Sequence, residues 1–156
     1  MLRTAAFLFL TAALAFSQDH QAIVNEHGDR VMGFSHEKTT HHFVLNYDGG
    51  VIDVRANDVK DIQTRDDIRK HIHHISEMFA DGNFNAPMLV HSATVPGTAT
   101  MVRLKDQLHW ELQETPRGAR LIVTADNKAA LDAVHEFLRF QIEDHSTGDC
   151  PMVHSW

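Results

Sequence analysis

His41-His42-Phe43-Val44-Leu45-Asn46-Tyr47, then Asp48-Gly49-Gly50, then Val51-Ile52-Asp53-Val54-Arg55-Ala56-Asn57, is the stretch on which the fold turns. Apolar and polar side chains alternate on both sides of the Asp-Gly-Gly signal, the pattern of a β-hairpin. A two-residue loop at Asp48-Gly49 or Gly49-Gly50 puts Phe43, Leu45 and Tyr47 on one face with Ile52, Val54 and Ala56, since strand side chains repeat every second residue. A three-residue loop would scramble that face. In this register His41 points toward the core side of the sheet and His42 away from it.

Working outward toward the C-terminus, Asp58 to about Asp81 reads as a helix capped by Asp58 or Asp61 and stopped near Gly82, with Ile68, Ile72, Ile75 and Phe79 as its buried stripe. His71, His74 and Met78 form a second row on the flank of that stripe, and His73 lies on the far side. Ala86-Pro87-Met88-Leu89-Val90 reads as a short strand or buried loop closed by His91. Three strands follow, at about Thr98–Leu104, Leu108–Glu114 and Ala119–Ala125. The last two form a hairpin around Pro116-Arg117-Gly118, with Leu108, Trp110 and Leu112 facing Leu121, Val123 and Ala125. Asp126 then caps a final helix whose stripe is Leu131, Val134, Leu138 and Ile142, ending by Gly148. The sum is an α+β domain in the order β-β-α-β-β-β-α, with a largely antiparallel sheet and two amphipathic helices on one face. The other face or an edge is left for a pocket or for a second copy in a homodimer.

Toward the N-terminus, Arg3, the run Ala5-Ala6-Phe7-Leu8-Phe9-Leu10 and the small-residue end Ala13-Leu14-Ala15 read as a secretory signal peptide over 1–17, cleaved at Ala15 or Ser17. Polar Ser17-Gln18-Asp19-His20 closes the run too early for a membrane anchor. The expected product is exported to the periplasm or the exterior, with one domain over 18–147 and a flexible tail over 148–156. Cleavage removes only Arg3 from 14 basic and 21 acidic side chains, so the product is acidic. Such a surface repels phosphate backbones and anionic lipid, which argues against nucleic-acid and membrane partners. Cys150 is the single cysteine, so no internal disulfide holds the exported chain. It is either an inert tail residue, half of an intermolecular disulfide, or a soft ligand beside Met152 and His154.

Thirteen of the 156 residues are histidine. Imidazole is the commonest metal ligand and the side chain whose charge changes near neutral pH. The candidate ligands are His36 and His41 from the segment entering the first strand, His71 and His74 from the helix that must pack on that hairpin, and His91 at the end of an apolar run. Copper, zinc or nickel is the expected ion, bound as a divalent transition metal. No H-E-x-x-H and no paired-cysteine motif narrows the choice, and His71-Ile72-His73 on a helix points its two rings apart. His135 and His145 on the last helix are too far apart along the axis to share one ion, and His145 lies on the apolar stripe, a place open to haem ligation. Two other classes stay open: a metal-dependent or histidine acid/base enzyme, for which Asp29, Glu37, Asp53, Glu77 and Glu111 supply carboxylates, and a plain interaction module with surface histidines. No G-x-S-x-G elbow or glycine-rich phosphate loop is present.

The segments Val31-Met32-Gly33-Phe34-Ser35-His36-Glu37-Lys38-Thr39-Thr40-His41-His42-Phe43 and Leu138-Arg139-Phe140-Gln141-Ile142-Glu143-Asp144-His145 resemble a group of small exported bacterial proteins without an assigned role. Some of that group carry the label aspartate carbamoyltransferase. This chain is too short for that two-domain enzyme and lacks its Ser-Thr-Arg-Thr phosphate loop, so the resemblance lends no catalytic residue.

Overall fold

The computed structural model describes residues 5–154, with side chains from residue 19 onward. The expected signal segment therefore lies outside the described side chains, and its first four residues outside the description altogether. A helix α1 (Ala5–Met32) leads through a 3₁₀ turn (His36–Lys38) into β1 (Thr39–Asn46) and β2 (Gly49–Ala56). Helices α2 (Ile62–Ala80), α3 (Asn85–His91) and α4 (Thr98–Arg103) follow, then β3 (Leu108–Thr115), β4 (Gly118–Ala125) and α5 (Lys128–Asp144). The fold is α+β, around a four-stranded, fully antiparallel sheet in the order β1-β2-β4-β3. Among the described residues no helix is long and apolar enough to cross a membrane.

The face assignment read from the alternation matches the sheet. Phe43 pairs with Ile52, Ile52 with Leu121 and Leu121 with Leu112, so one row of apolar side chains crosses all four strands. The loop itself differs: it is Tyr47-Asp48, with Asn46 opposite Gly49 and Leu45 opposite Gly50. The two glycines are in the strand because nothing larger fits there. A Cβ on Gly49 would stand 1.9 Å from the Val123 carbonyl oxygen, and one on Gly50 2.2 Å from Leu138 Cδ1. The shift moves the pairing by two residues from an Asp48-Gly49 loop and by four from a Gly49-Gly50 loop, an even number that preserves the faces and leaves Tyr47 exposed at the tip.

The helices α2 and α5 cover that face, α2 over β3 and β4 and α5 over β1 and β2. Asp61 caps α2, accepting from Thr64 N and from the Thr64 hydroxyl, and the stripe Thr64, Ile68, Ile72, Ile75 and Phe79 is buried. Asn127, one residue beyond the expected Asp126, caps α5 by accepting from Ala130 N. The strand expected at Thr98–Leu104 is instead α4, and the apolar piece ending at His91 is α3. Pro87 sits in the first turn of α3, where a missing N–H does no harm. Gly97, at φ +80°, lets the chain before α4 approach α5 so closely that a Cβ would lie 2.2 Å from the Ala133 carbonyl oxygen.

α1 packs on α3. Val24 is buried, while His20 bonds to Asp144, Gln21 to Ser146 and His27 to Ser92. The tail lies along the free edge of β1: Asp149 accepts from Phe43 N and pairs with His42, and His154 N donates to the Leu45 carbonyl. The unpaired edge of β1 is thereby partly covered. His135 is buried rather than at the rim of its helix, and its Nε2 donates to the Asn46 and Gly49 carbonyls at 2.8 and 3.0 Å, holding the first hairpin's turn to α5.

Candidate functional site

Between the sheet, α2, α3 and the end of α5 lies a largely apolar cavity of about 80 Å³. Phe79 closes its far end, with Phe84 at 4.6 Å and Trp110 at 5.2 Å between ring centroids. Its polar lining consists of His41 from β1, His71 from α2, His91 from α3, and Gln141 and His145 from α5. A second chamber of about 340 Å³ lies between α1 and the start of β1, lined by side chains such as Gln21, Asn25, Thr40 and Thr147. Met32, His41 and His145 line both. These three residues form the partition between a polar vestibule and an apolar inner chamber.

Local sequence explains how each group arrives there. His41 precedes Phe43 by two on the inward face of β1, and His71 follows Ile68 by three on α2. His145 is the C-cap of α5, where its N–H closes on the Gln141 carbonyl. The rings gather around Phe34 and Phe43. Phe34 lies 5.6 Å from His71 and 6.4 Å from His41, and Phe43 lies 5.8 Å from His145. His41 and His145 are 5.9 Å apart between centroids with planes only 6° from parallel, and His145 meets His91 edge-on at 4.9 Å.

Burial dominates the electrostatics. It pushes His41 down to about 4, helped by the neighbouring His42. It lowers His71 to about 4 as well, with His41 and then His74 adding to the effect. His145 falls to about 3 through burial and the proximity of His41 and His91, against a small opposing pull from Asp144. All three are neutral at pH 7, each with one N–H and one free lone pair. Among the described residues none of the three rings hydrogen-bonds to another protein group.

His91 is held quite differently. Its side chain is 1% exposed, with Nδ1 on the Asp144 carboxylate and Nε2 3.1 Å from Gln141 Oε1. Asp144 also takes a 2.8 Å bond from the exposed ring of His20. Burial pushes the Asp144 carboxyl up, but the bonds and charge of His20 and His91 outweigh it, so it titrates below the usual carboxylate range. The Gln141 Nε2, in a residue 4% exposed, has no partner among the described residues.

Of the five histidines expected to form a site, His41, His71 and His91 line the inner cavity. His36 and His74 do not. His36 bonds through Nδ1 to Asp29 at 3.0 Å and reaches only the vestibule, while His74 is exposed beside Asp67 and Lys70. His145, Met32, Gln141 and Asp144 were not in the expected set. His145 carried a visible signal, its place three residues beyond Ile142 on an apolar stripe, but nothing local links it to residues 41 and 71. Among the described residues, no group of three or more His, Cys, Asp or Glu side chains stands close enough to hold a metal ion.

No family model, no curated protein and no solved structure matches this chain.

Proposed function

We propose that the protein binds a transition-metal ion at the partition between the two chambers, with His41 and His145 as ligands and Met32 and His71 beside them. The observation that carries this reading is the pair of neutral imidazoles, 5.9 Å apart, whose nitrogens have no partner among the described residues. A metal requires the unprotonated ring, and burial supplies it without a competing proton. With metal–nitrogen bonds of about 2.0 Å and ring centres roughly 1.1 Å further out, two imidazoles that meet one ion edge-on have centroids about 6 Å apart, an arrangement the stacked pair reaches by turning its rings. The His χ2 torsion is broad, so both rings can turn onto an ion while the backbone stays in place.

The size of the inner chamber supports a small guest. Pockets for organic cofactors run to about 300–1,000 Å³, whereas about 80 Å³ takes an ion with a few waters. Haem at His145 would need this region to open. In this reading the segment over 1–17 directs export, and the ion is met in the periplasm or outside the cell.

The test is elemental analysis of untagged protein purified from its own host without added metal or chelator, alongside His41→Phe and His145→Phe. Phenylalanine keeps the ring packing against Phe34 and Phe43 and removes the donor. About one equivalent of a single metal, absent from both variants, is the expected result. Wild-type protein with only traces of mixed metals would end the proposal.

The pair Asp144–His91 favours a second reading, acid/base catalysis. A buried imidazole oriented by a carboxylate is the arrangement a general base uses once its second nitrogen is released, here the Nε2 that rests on Gln141 Oε1 beside the same cavity. Hydrolytic or isomerase activity abolished by Asp144→Asn would support it, and activity unchanged in that variant would exclude it.

A further inference from the structure

We infer that the ion held between His41 and His145 is copper(I), bound by two imidazoles in near-linear geometry with the Met32 thioether alongside. This rests on the metal-binding reading above and specifies its ion. Three independent observations lead to it.

The first is charge. The described lining of the inner chamber and the vestibule contains no Asp, Glu or Cys, so no anion is available to neutralise an ion there. The carboxylate next to the site, Asp144, is turned onto His91 and His20. The cost of taking an ion out of water scales with the square of its charge, so a dication in this apolar lining is penalised far more heavily than a monocation. Divalent zinc, nickel and copper sites offset that cost with thiolates, carboxylates or bound hydroxide.

The second is donor number. Zinc takes four ligands and copper(II) or nickel(II) at least as many, but among the described residues no three such side chains converge. Copper(I), a d¹⁰ ion of low charge, is satisfied by two nitrogen donors in a line. His41 and His145 stack at 5.9 Å between centroids, so a turn of each ring about χ2 would bring one nitrogen of each onto an ion held between them.

The third is softness. Met32 lines both chambers at the partition, and thioether sulfur selects copper(I) over the harder divalent ions. The vestibule supplies the route. Its polar wall, with Gln21 and Asn25 on α1 and Thr39 and Thr40 on β1, lets a hydrated or chelated ion approach before losing its water at His41 and His145.

The experiment is an anaerobic titration of untagged protein with copper(I) against a chromophoric copper(I) chelator, paired with calorimetric titrations with zinc(II), nickel(II) and copper(II). X-ray absorption of the copper-loaded protein reads the coordination. The expected result is one equivalent of copper(I), bound roughly 100-fold or more tighter than any of the divalent ions, with two short nitrogen bonds. His41→Phe and His145→Phe should each lose at least about 100-fold in copper(I) affinity, because one of only two strong bonds is gone, and Met32→Leu about tenfold. Circular dichroism confirms that each variant is folded. Tighter binding of a divalent ion, lost in the same two variants, would overturn copper(I) while leaving the metal site standing. Stoichiometric binding of none of the four ions would overturn both.

Discussion

Two sets of histidines in this chain live under opposite rules. His41, His71 and His145 are gathered inward, each pushed by burial well below the ordinary imidazole range, and none has a hydrogen-bond partner among the described residues. His20, His36, His42 and His109 face outward, and each sits on a carboxylate: Asp144, Asp29, Asp149 and Asp126. His91 belongs to neither, being more deeply buried than the first set, whose rings are half-buried, and as firmly paired as the second. A folded chain that leaves three half-buried imidazoles neutral and, among the described residues, without a protein hydrogen bond forgoes bonds that the outward set makes. That cost is understandable where the free lone pairs have a guest to receive, and it makes the inward set the place where pH and mutation should act most strongly.

The largest expected effect is acid destabilisation of the metal-free protein. An unfolded histidine titrates near 6.5, whereas the three inward rings titrate at about 4, 4 and 3 in the folded chain. As pH falls the unfolded state therefore takes up protons first, and stability declines. The contribution is fully present above about 6.5 and is lost as the pH drops toward 4, at about 1.4 kcal/mol per pH unit for each ring that responds. Charging one ring in the folded chain disfavours charging the next, which keeps the folded state deprotonated, so the expected slope rises toward three protons as the unfolded rings charge. Urea unfolding at pH 7, 6 and 5 measures it. Equal stability at all three would break the contrast between the two sets, and a shallower slope in His145→Phe would sharpen it.

Next in size is the cost of removing the carboxylate from His91. Asp144→Ala leaves a ring that is 1% exposed with Nδ1 facing no partner, and also releases His20 of α1. Stranding a buried polar group costs about 2–3 kcal/mol. Denaturant midpoints of Asp144→Ala and His20→Ala separate the two consequences. The His20 variant should fall by less than about 1 kcal/mol, since its partner bond is largely solvated. Equal losses would mean that anchoring α1, rather than satisfying His91, is the role of Asp144.

How much of this was legible in the chain depends on whether the information is local. The hairpin faces follow from the two-residue period of Phe43, Leu45, Ile52 and Val54, and the α2 stripe from Ile68, Ile72, Ile75 and Phe79; both agree with the structure. The turn was displaced because Gly49 and Gly50, which look like loop residues, are required in the strand by the Val123 backbone carbonyl and the Leu138 side chain, groups more than seventy positions away. Thr98-Ala99-Thr100-Met101-Val102-Arg103 alternates in polarity and carries β-branched residues, yet forms a helix buried through Thr98 and Met101. A six-residue run holds too few periods to decide between the two. α1 went unread beyond the apolar leader because its inward side is Gln21, Val24 and Gly28, with too little apolar surface to register as a stripe. His41, His71 and His91 were reachable from their neighbours. Their meeting with His145 was not, for it is set by how α5 crosses the hairpin.

The smallest expected effect comes from the outward set and gives the comparison its control. His109 bonds to both oxygens of Asp126 at 2.9 Å, with both side chains about half exposed. An exposed ion pair of this kind contributes about 0–1 kcal/mol, because water solvates the separated groups nearly as well and salt screens what remains. His109→Ala should therefore change the urea midpoint by no more than about 0.5 kcal/mol and leave the pH slope between 7 and 5 intact. His42 is the instructive intermediate. Its Asp149 also accepts from Phe43 N at 2.9 Å, so His42→Ala leaves that carboxylate tied to β1 by its backbone bond. Global stability should then hardly move, while amide exchange at His154, whose N–H reaches the Leu45 carbonyl, quickens as the tail loosens. If His109→Ala flattened the acid slope as much as His145→Phe does, burial would not be what distinguishes the two sets, and the inward histidines would lose their claim to a separate role.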